Sequence, residues 1–152
     1  MADVNSSAPA FEALNQAREK KSLQDYKGKK LVLAFFPAAF TGVCQKELCT
    51  FQDSLAKFND LNAAVVGVSV DAPFSNKAFA DQNSIAFDIL SDYSRSMVAA
   101  YGVEHADFAG MTGYTAAKRS VFVINEDGVV TWKWVADNPG QEPDYDTVSA
   151  QL

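Results

Sequence analysis

The chain has 152 residues, of which 48% are hydrophobic and 21% are charged, and its net charge is −6. This length and composition predict one globular domain over residues 1–152, and the negative charge disfavours nucleic acids and anionic membranes as partners. The longest apolar stretch has ten residues, about half of what a membrane span needs. The amino-terminal residues show no secretory signal, and two cysteines are too few for a disulfide framework, so the sequence predicts a cytoplasmic protein.

The strands are predicted from short apolar runs. In chain order, the first predicted element is a small hairpin around Leu14 and Leu23. Continuous apolar runs then predict buried strands at residues 31–36, 63–70 and 120–124. The turn at residues 125–128 joins the last of these to a strand at residues 129–135.

The helices are predicted from apolar residues that recur at steps of three and four. The first helix follows the strand at residues 31–36, and its apolar stripe consists of Cys44, Leu48, Phe51, Leu55 and Phe58. Further helices are predicted at residues 73–82, 94–100 and 144–152. This order of strands and helices predicts an α/β protein with a mixed β-sheet flanked by helices and a small N-terminal hairpin.

The sequence FFPAAFTGVCQKELC, residues 35–49, begins where the first long strand ends. It contains a proline, a threonine and two cysteines directly after a purely apolar run. Cys44 lies where a loop enters a helix, and the free N–H groups at a helix start favour an anion. An ordinary thiol has a pKa of about 8.5 and is mostly protonated at pH 7, whereas the thiolate is the nucleophile. Pro37 lacks an N–H, and Thr41 supplies a hydroxyl three residues before the sulfur. Together these features predict a water-poor pocket that holds a reactive thiolate.

Each of these residues also has a purely structural interpretation. In this interpretation Pro37 only ends the strand. Thr41 is a common residue type at a helix N-cap. Cys44 is of a type that is often buried as a small hydrophobic residue. The structural role is favoured for Pro37 or Thr41 taken alone, and the functional role for Cys44 in this setting.

Pro37, Thr41 and Cys44 form the pattern P-x-x-x-T-x-x-C, and with it the chain resembles the peroxiredoxins, which reduce peroxides at a cysteine on a thioredoxin-like fold. The resemblance extends over residues 27–53, 65–79 and 118–130. It implies a thioredoxin-like fold and a peroxidase that acts on hydrogen peroxide and organic hydroperoxides. The AhpE-like and the PrxQ/BCP-like branches are both similar, and Gln45, which replaces a proline or threonine common in the family, weakens the assignment to either branch.

The resemblance implies a role for each residue of the motif. Cys44 attacks the terminal oxygen of the peroxide and becomes a sulfenic acid, while Arg119 lies beside the sulfur. Thr41 orients the peroxide, Pro37 shields the sulfur, and Glu47 supports the arginine. Two alternatives stay open: Glu47 as an exposed carboxylate that complements the helix dipole, and Arg119 as an ordinary basic residue at a strand end.

Cys49 follows Cys44 by five residues. In an intact helix this spacing separates the two Cα atoms by about 8–9 Å, more than the roughly 7 Å that a disulfide tolerates. A disulfide between them therefore requires the helix to unwind. Either Cys49 resolves the sulfenic acid and a thioredoxin-like partner reduces the disulfide, or Cys49 packs on the helix flank and an external thiol resolves Cys44.

Other kinds of function are less consistent with the sequence. Two cysteines and the single histidine, His105, are too few for a zinc site, and neither a metal nor another cofactor is predicted. A thiol–disulfide oxidoreductase of the same fold usually has C-x-x-C spacing rather than C-x-x-x-x-C. A non-enzymatic interaction module would not need Cys44. Resemblance to the AhpE-like branch implies a homodimer.

Overall fold

The computed structural model describes residues 2–152. The strands are β1 Glu12–Leu14, β2 Lys20–Ser22, β3 Lys30–Phe35, β4 Ala63–Ser69, β5 Ile89–Ser91, β6 Glu104–His105, β7 Ala116–Ala117, β8 Ser120–Ile124 and β9 Val130–Val135. The helices are α1 Gly42–Asp53, α2 Leu55–Asp60, α3 Pro73–Asn83, α4 Ser96–Ala100 and α5 Tyr145–Ala150. Among these residues, the structure holds no helix with the length and hydropathy needed to cross a membrane.

Seven strands form one mixed sheet in the order β2-β1-β5-β4-β3-β8-β9, and β6 pairs with β7 separately. Strand β3 is parallel to β4 and antiparallel to β8. Strands β1 and β2 form the predicted N-terminal hairpin, which joins the sheet through β5. The predicted α/β class, the mixed sheet and the hairpin are confirmed.

The central strand β3 is buried on both faces of the sheet, and its successive side chains point to opposite sides. Alternate residues of the segment around β3 belong to two different core clusters: Leu31, Leu33 and Phe35 to one, and Val32, Ala34 and Phe36 to the other. The second cluster also contains buried side chains from three helices: Cys44, Leu48 and Phe51 of α1, Phe58 of α2, and Phe79 and Ala80 of α3. A strand covered on both sides is apolar throughout, which explains the continuous run in the sequence.

Several elements differ from the prediction. The first predicted helix is two helices, because the chain leaves helical geometry at Ser54, and Leu55 is only half-buried. The helix predicted from residue 94 begins at Ser96, because Arg95 has a left-handed backbone with φ of 64°. The short strands β5, β6 and β7 were not predicted. Two or three residues are too few to produce a recognisable periodicity.

The register of the sheet places two distant segments side by side. Phe35, the last residue of β3, pairs with Ser120, the first residue of β8. Because the two strands are antiparallel, the chain leaves β3 at the point where it enters β8. Arg119 immediately precedes β8 and therefore lies next to the loop that leads into α1.

Candidate active site

The loop between β3 and α1 is fixed by its neighbours. Pro37 is buried at the end of the strand. The Ala39 N–H donates a hydrogen bond to the Asp71 carboxylate over 2.8 Å, which ties the loop to the segment after β4. Phe40 has a left-handed backbone with φ of 64°, which a bulky residue adopts only under tertiary constraint. The chain is thus held in a tight turn directly before the helix.

Thr41 occupies the N-cap position of α1. Its backbone is extended, and its carbonyl accepts a hydrogen bond from the Gln45 N–H over 3.0 Å. Its hydroxyl donates to the Ala38 carbonyl over 2.8 Å instead of capping the helix. The structural alternative, in which Thr41 is a helix N-cap, is therefore correct for its backbone, but its side chain does not cap the helix. The lone pairs of the hydroxyl stay available to a molecule bound in the pocket.

Cys44 and Arg119 form a buried pair. The Arg119 Nη2 donates to the Cys44 Sγ over 3.0 Å, and the two residues are 0% and 2% exposed. The sulfur lies in the first turn of α1, where free N–H groups and the helix dipole also favour negative charge. A hydrogen bond from a cation favours the anionic form of its acceptor. The site therefore has the elements that stabilise a thiolate.

Arg119 is held by two further partners. Its Nη1 donates to the Glu47 Oε1 over 2.8 Å, and its Nε and Nη2 donate to the Pro139 carbonyl over 3.1 and 3.0 Å. Glu47 is completely buried, so the alternative of an exposed carboxylate is wrong. Four of the five guanidinium N–H groups are thus used among the described residues, and their planar arrangement fixes the orientation of the side chain.

The charges of the buried residues depend on one another. Burial raises the pKa of Glu47 to about 7, against the opposing effect of the Arg119 charge and hydrogen bond. The Glu47 Oε2 is buried without a hydrogen-bond partner among residues 2–152, which also disfavours ionisation. Burial alone lowers the pKa of Arg119, but the charges of Glu47 and Cys44 raise the pKa overall. The arginine therefore stays a cation at neutral pH.

The raised pKa of Glu47 predicts a pH-dependent stability. Between the ordinary value of 4.5 and about 7, the folded chain holds a proton on Glu47 that the unfolded chain has released. The free energy of unfolding of the wild type is therefore expected to fall, relative to that of Glu47→Gln, as the pH rises through this window. The slope of the difference is at most about 1.4 kcal/mol per pH unit.

Urea denaturation of both proteins at several pH values measures this difference. The glutamine keeps a carbonyl that accepts from Arg119, so the variant removes the titration with little change in packing. Parallel stability curves for the two proteins would show that Glu47 does not titrate in this window.

Two cavities meet at Arg119. One, of about 230 Å³, is lined by Pro37, Thr41, Gly42, Val43, Phe108, Arg119, Pro139 and Gly140. The other, of about 470 Å³, shares Arg119 and Pro139 with the first and also contacts His105 and Lys118. The smaller cavity adjoins the motif residues and is lined on several sides by apolar side chains. It is the better candidate for a substrate pocket.

Cys49 lies on another side of α1. It is half-buried, and its Sγ lies 3.7 Å from the Oδ1 of Asn83, the last residue of α3. Burial and the charge of Asp53 raise the pKa of this thiol. Both cysteines are free and belong to the unbroken helix Gly42–Asp53. The structure thus brings Pro37, Thr41, Cys44, Glu47 and Arg119 together but does not bring Cys49 to them.

Sequence patterns did not identify two contributors to the site. Pro139 contributes its backbone carbonyl, which carries no residue-specific signal. Phe108 lies in a polar loop and lines the smaller cavity, and its ring contacts the ring of His105 edge-on at 5.3 Å. The one feature of the sequence that could have indicated Phe108 is that it is an aromatic residue in an otherwise polar loop.

Comparison with known proteins supports the class that the sequence resemblance implies, the peroxiredoxins. The sequence matches the model of the AhpC/TSA family over residues 4–133. It is 36% identical over 128 residues to the putative peroxiredoxin bcp of Haemophilus influenzae, covering 84% of this chain and 82% of that protein. It is 35% identical over 133 residues to the alkyl hydroperoxide reductase E of Mycobacterium bovis, covering 86% and 83%. The crystal structure of peroxidoxin BcpB from Mycobacterium tuberculosis has a TM-score of 0.88 at 27% identity, covering 99% of this chain and 96% of that one.

The thioredoxin-like fold and these relatives define a thiol-dependent peroxidase. The chain belongs to the AhpC/TSA family, over a match that includes the whole of β1 to β8. Its bcp and AhpE relatives are almost equally similar, so identity alone does not separate the two branches.

Proposed function

We propose that Cys44 reduces hydrogen peroxide and organic hydroperoxides. The observation that carries this proposal is the buried contact of 3.0 Å between the Arg119 Nη2 and the Cys44 Sγ at the start of α1. A thiolate is the reactive form of cysteine, and a fixed cation beside the sulfur favours it without needing a base. The single histidine, His105, lies on the larger cavity and is not required for this step.

The reaction is a nucleophilic displacement at oxygen. The Cys44 thiolate attacks the outer oxygen of the peroxide, the O–O bond breaks, and the alkoxide or hydroxide leaves with a proton as an alcohol or water. The sulfur gives up two electrons and becomes a sulfenic acid. In this proposal the positive charge of Arg119 stabilises the negative charge that develops on oxygen.

Thr41 and Pro37 complete the site around the peroxide. The Thr41 hydroxyl donates to the Ala38 carbonyl, so its lone pairs accept the O–H of the bound peroxide. Pro37 is buried beside the cavity and presents no N–H that would hold water there. Apolar side chains of Val43 and Phe108 on the same cavity suit the carbon chain of an organic hydroperoxide.

Recycling needs a second thiol. We propose that Cys49 condenses with the sulfenic acid of Cys44, so that an S–S bond forms and water leaves. A thioredoxin-like protein then reduces the disulfide. Because both residues lie on α1, part of that helix unwinds before the bond forms. Resolution by an external thiol is the alternative outcome of the test below.

Treating the reduced protein with one equivalent of hydrogen peroxide tests this route. Mass spectrometry of the digested wild type is expected to find one peptide pair joined by a Cys44–Cys49 disulfide. The Cys49→Ser variant is expected to consume the same first equivalent of peroxide and to accumulate sulfenic acid on Cys44. If the wild type also stops at the sulfenic acid, Cys49 does not resolve and an external thiol does.

The quaternary structure and location of the protein remain predictions. We expect a single domain that forms a homodimer, in keeping with the resemblance to AhpE-like proteins. We also expect the protein to act in the cytoplasm, where thiol reductants keep both cysteines reduced.

A further inference from the structure

Cys49 is attached to a neighbouring helix by a specific contact. The Asn83 Nδ2 donates to the Phe79 carbonyl over 2.9 Å, so the amide orientation is fixed and the Oδ1 faces the sulfur of Cys49. An amide oxygen accepts hydrogen bonds and does not donate them, so it pairs with the protonated thiol. The distance of 3.7 Å is suitable for a hydrogen bond from sulfur.

The two thiols are held on different sides of α1. Cys44 faces Arg119 beside the sheet, whereas Cys49 faces the end of α3. Five residues along a helix correspond to a rotation of about 140°. Cys49 therefore has to leave Asn83 before its sulfur can reach Cys44.

We propose that Asn83 is a positioning residue that holds Cys49 as a thiol on α3 and thereby slows disulfide formation. This inference rests on the proposed resolving role of Cys49. Burial and the charge of Asp53 also raise the pKa of Cys49, which further favours the protonated thiol over the thiolate. Unwinding of α1 frees the sulfur from all three influences at once.

The consequence is a competition at Cys44. Its sulfenic acid either condenses with Cys49, with loss of water, or reacts with a second peroxide, which transfers one oxygen to give a sulfinic acid and an alcohol or water. Slower condensation favours the second reaction. Asn83 therefore helps to set the peroxide concentration at which the enzyme is inactivated by over-oxidation.

Asn83→Ala tests the inference. We expect the rate of disulfide formation after one equivalent of peroxide to rise about two- to fivefold, the scale of one weak hydrogen bond. The fraction of sulfinic acid at excess peroxide should fall correspondingly, and the rate of the first oxidation of Cys44 should not change. Stopped-flow fluorescence gives the two rates, and mass spectrometry gives the oxidised products.

Gln52→Ala is the matched control. The Gln52 Oε1 accepts from the Ala86 N–H over 2.7 Å, at the same junction of α1 with the segment after α3, but without touching sulfur. If Gln52→Ala accelerates disulfide formation as much as Asn83→Ala, the effect is a general loosening of α1 and the inference is wrong. The inference is supported if only Asn83→Ala accelerates it.

Asn83→Asp provides a second variant that keeps the acceptor. Its negative charge stabilises the protonated thiol further, so disulfide formation should be slower than in the wild type. Acceleration in both Asn83 variants would overturn the inference, because loss of the Phe79 hydrogen bond would then explain it.

These experiments distinguish failure of the Asn83 inference from failure of the proposed resolving role of Cys49. If the wild type forms the disulfide and Asn83→Ala forms it at the same rate, the Asn83 inference is wrong and the role of Cys49 stands. If the wild type forms no disulfide, the role of Cys49 is wrong and the inference falls with it. In a Cys49→Ser background, Asn83→Ala should leave sulfinic acid formation unchanged, and any change there contradicts the inference.

Discussion

Replacing Cys44 with serine is expected to reduce peroxide consumption to the uncatalysed background. The serine hydroxyl has nearly the size of the thiol but does not ionise near neutral pH, so the proposed nucleophile is lost while the packing of the buried site is retained. Stopped-flow mixing with hydrogen peroxide measures the effect directly. Trp132 and Trp134 pack against the cluster that contains Cys44, so their fluorescence is a suitable signal.

Cys49→Ser is the matched control for this experiment, because it removes the other thiol from the same helix. Its first turnover with peroxide is expected to match the wild type. If Cys44→Ser consumed peroxide as fast as the wild type, or if only Cys49→Ser lost activity, the assignment of the peroxidatic residue would be wrong.

Arg119→Met is expected to lower the second-order rate constant for peroxide by about 10²–10³-fold, the usual effect of removing one transition-state donor. The variant loses the hydrogen bond to the Cys44 Sγ and the fixed positive charge. Stopped-flow kinetics with hydrogen peroxide, compared with the wild type under the same conditions, checks this effect.

The same variant should also be less stable, because it leaves Glu47 buried without its partner. Breaking a buried pair costs about 3–5 kcal/mol, and the raised pKa of Glu47 places this variant at the lower end, since a protonated carboxyl avoids the buried charge. The double variant Arg119→Met/Glu47→Gln should recover stability without recovering the rate. A wild-type rate constant in Arg119→Met would remove the arginine from the mechanism.

The long strands were predictable because their position in the fold determines their composition. Strands β3, β4 and β8 are covered on both faces, so their sequences are continuously apolar. A short apolar run such as residues 31–36 is compatible with few structures other than a buried strand. The break at Ser54 was not predictable, because the apolar spacing continues across it to Phe58. The spacing records which side chains face the core and does not record where the chain changes direction.

The site was partly predictable for similar reasons. Cys44 and Thr41 belong to a local motif, whereas Arg119 is far from them in sequence and was identified through the family resemblance. The environment of Glu47 depends on which element covers that side of α1, and the sequence left two alternatives open. The contact of Cys49 with Asn83 joins residues that are 34 positions apart on two helices, and periodicity carries no information about such a pair.

The most direct test is to identify the atom that one equivalent of peroxide oxidises at pH 7. The Cys49→Ser protein is mixed with hydrogen peroxide and a reagent that traps sulfenic acids. The mass of the peptide that contains Cys44 is then measured by mass spectrometry. We predict that one equivalent of the reagent is attached to Cys44 by the time the peroxide has been consumed. An unmodified Cys44 in the presence of persisting peroxide would contradict the account.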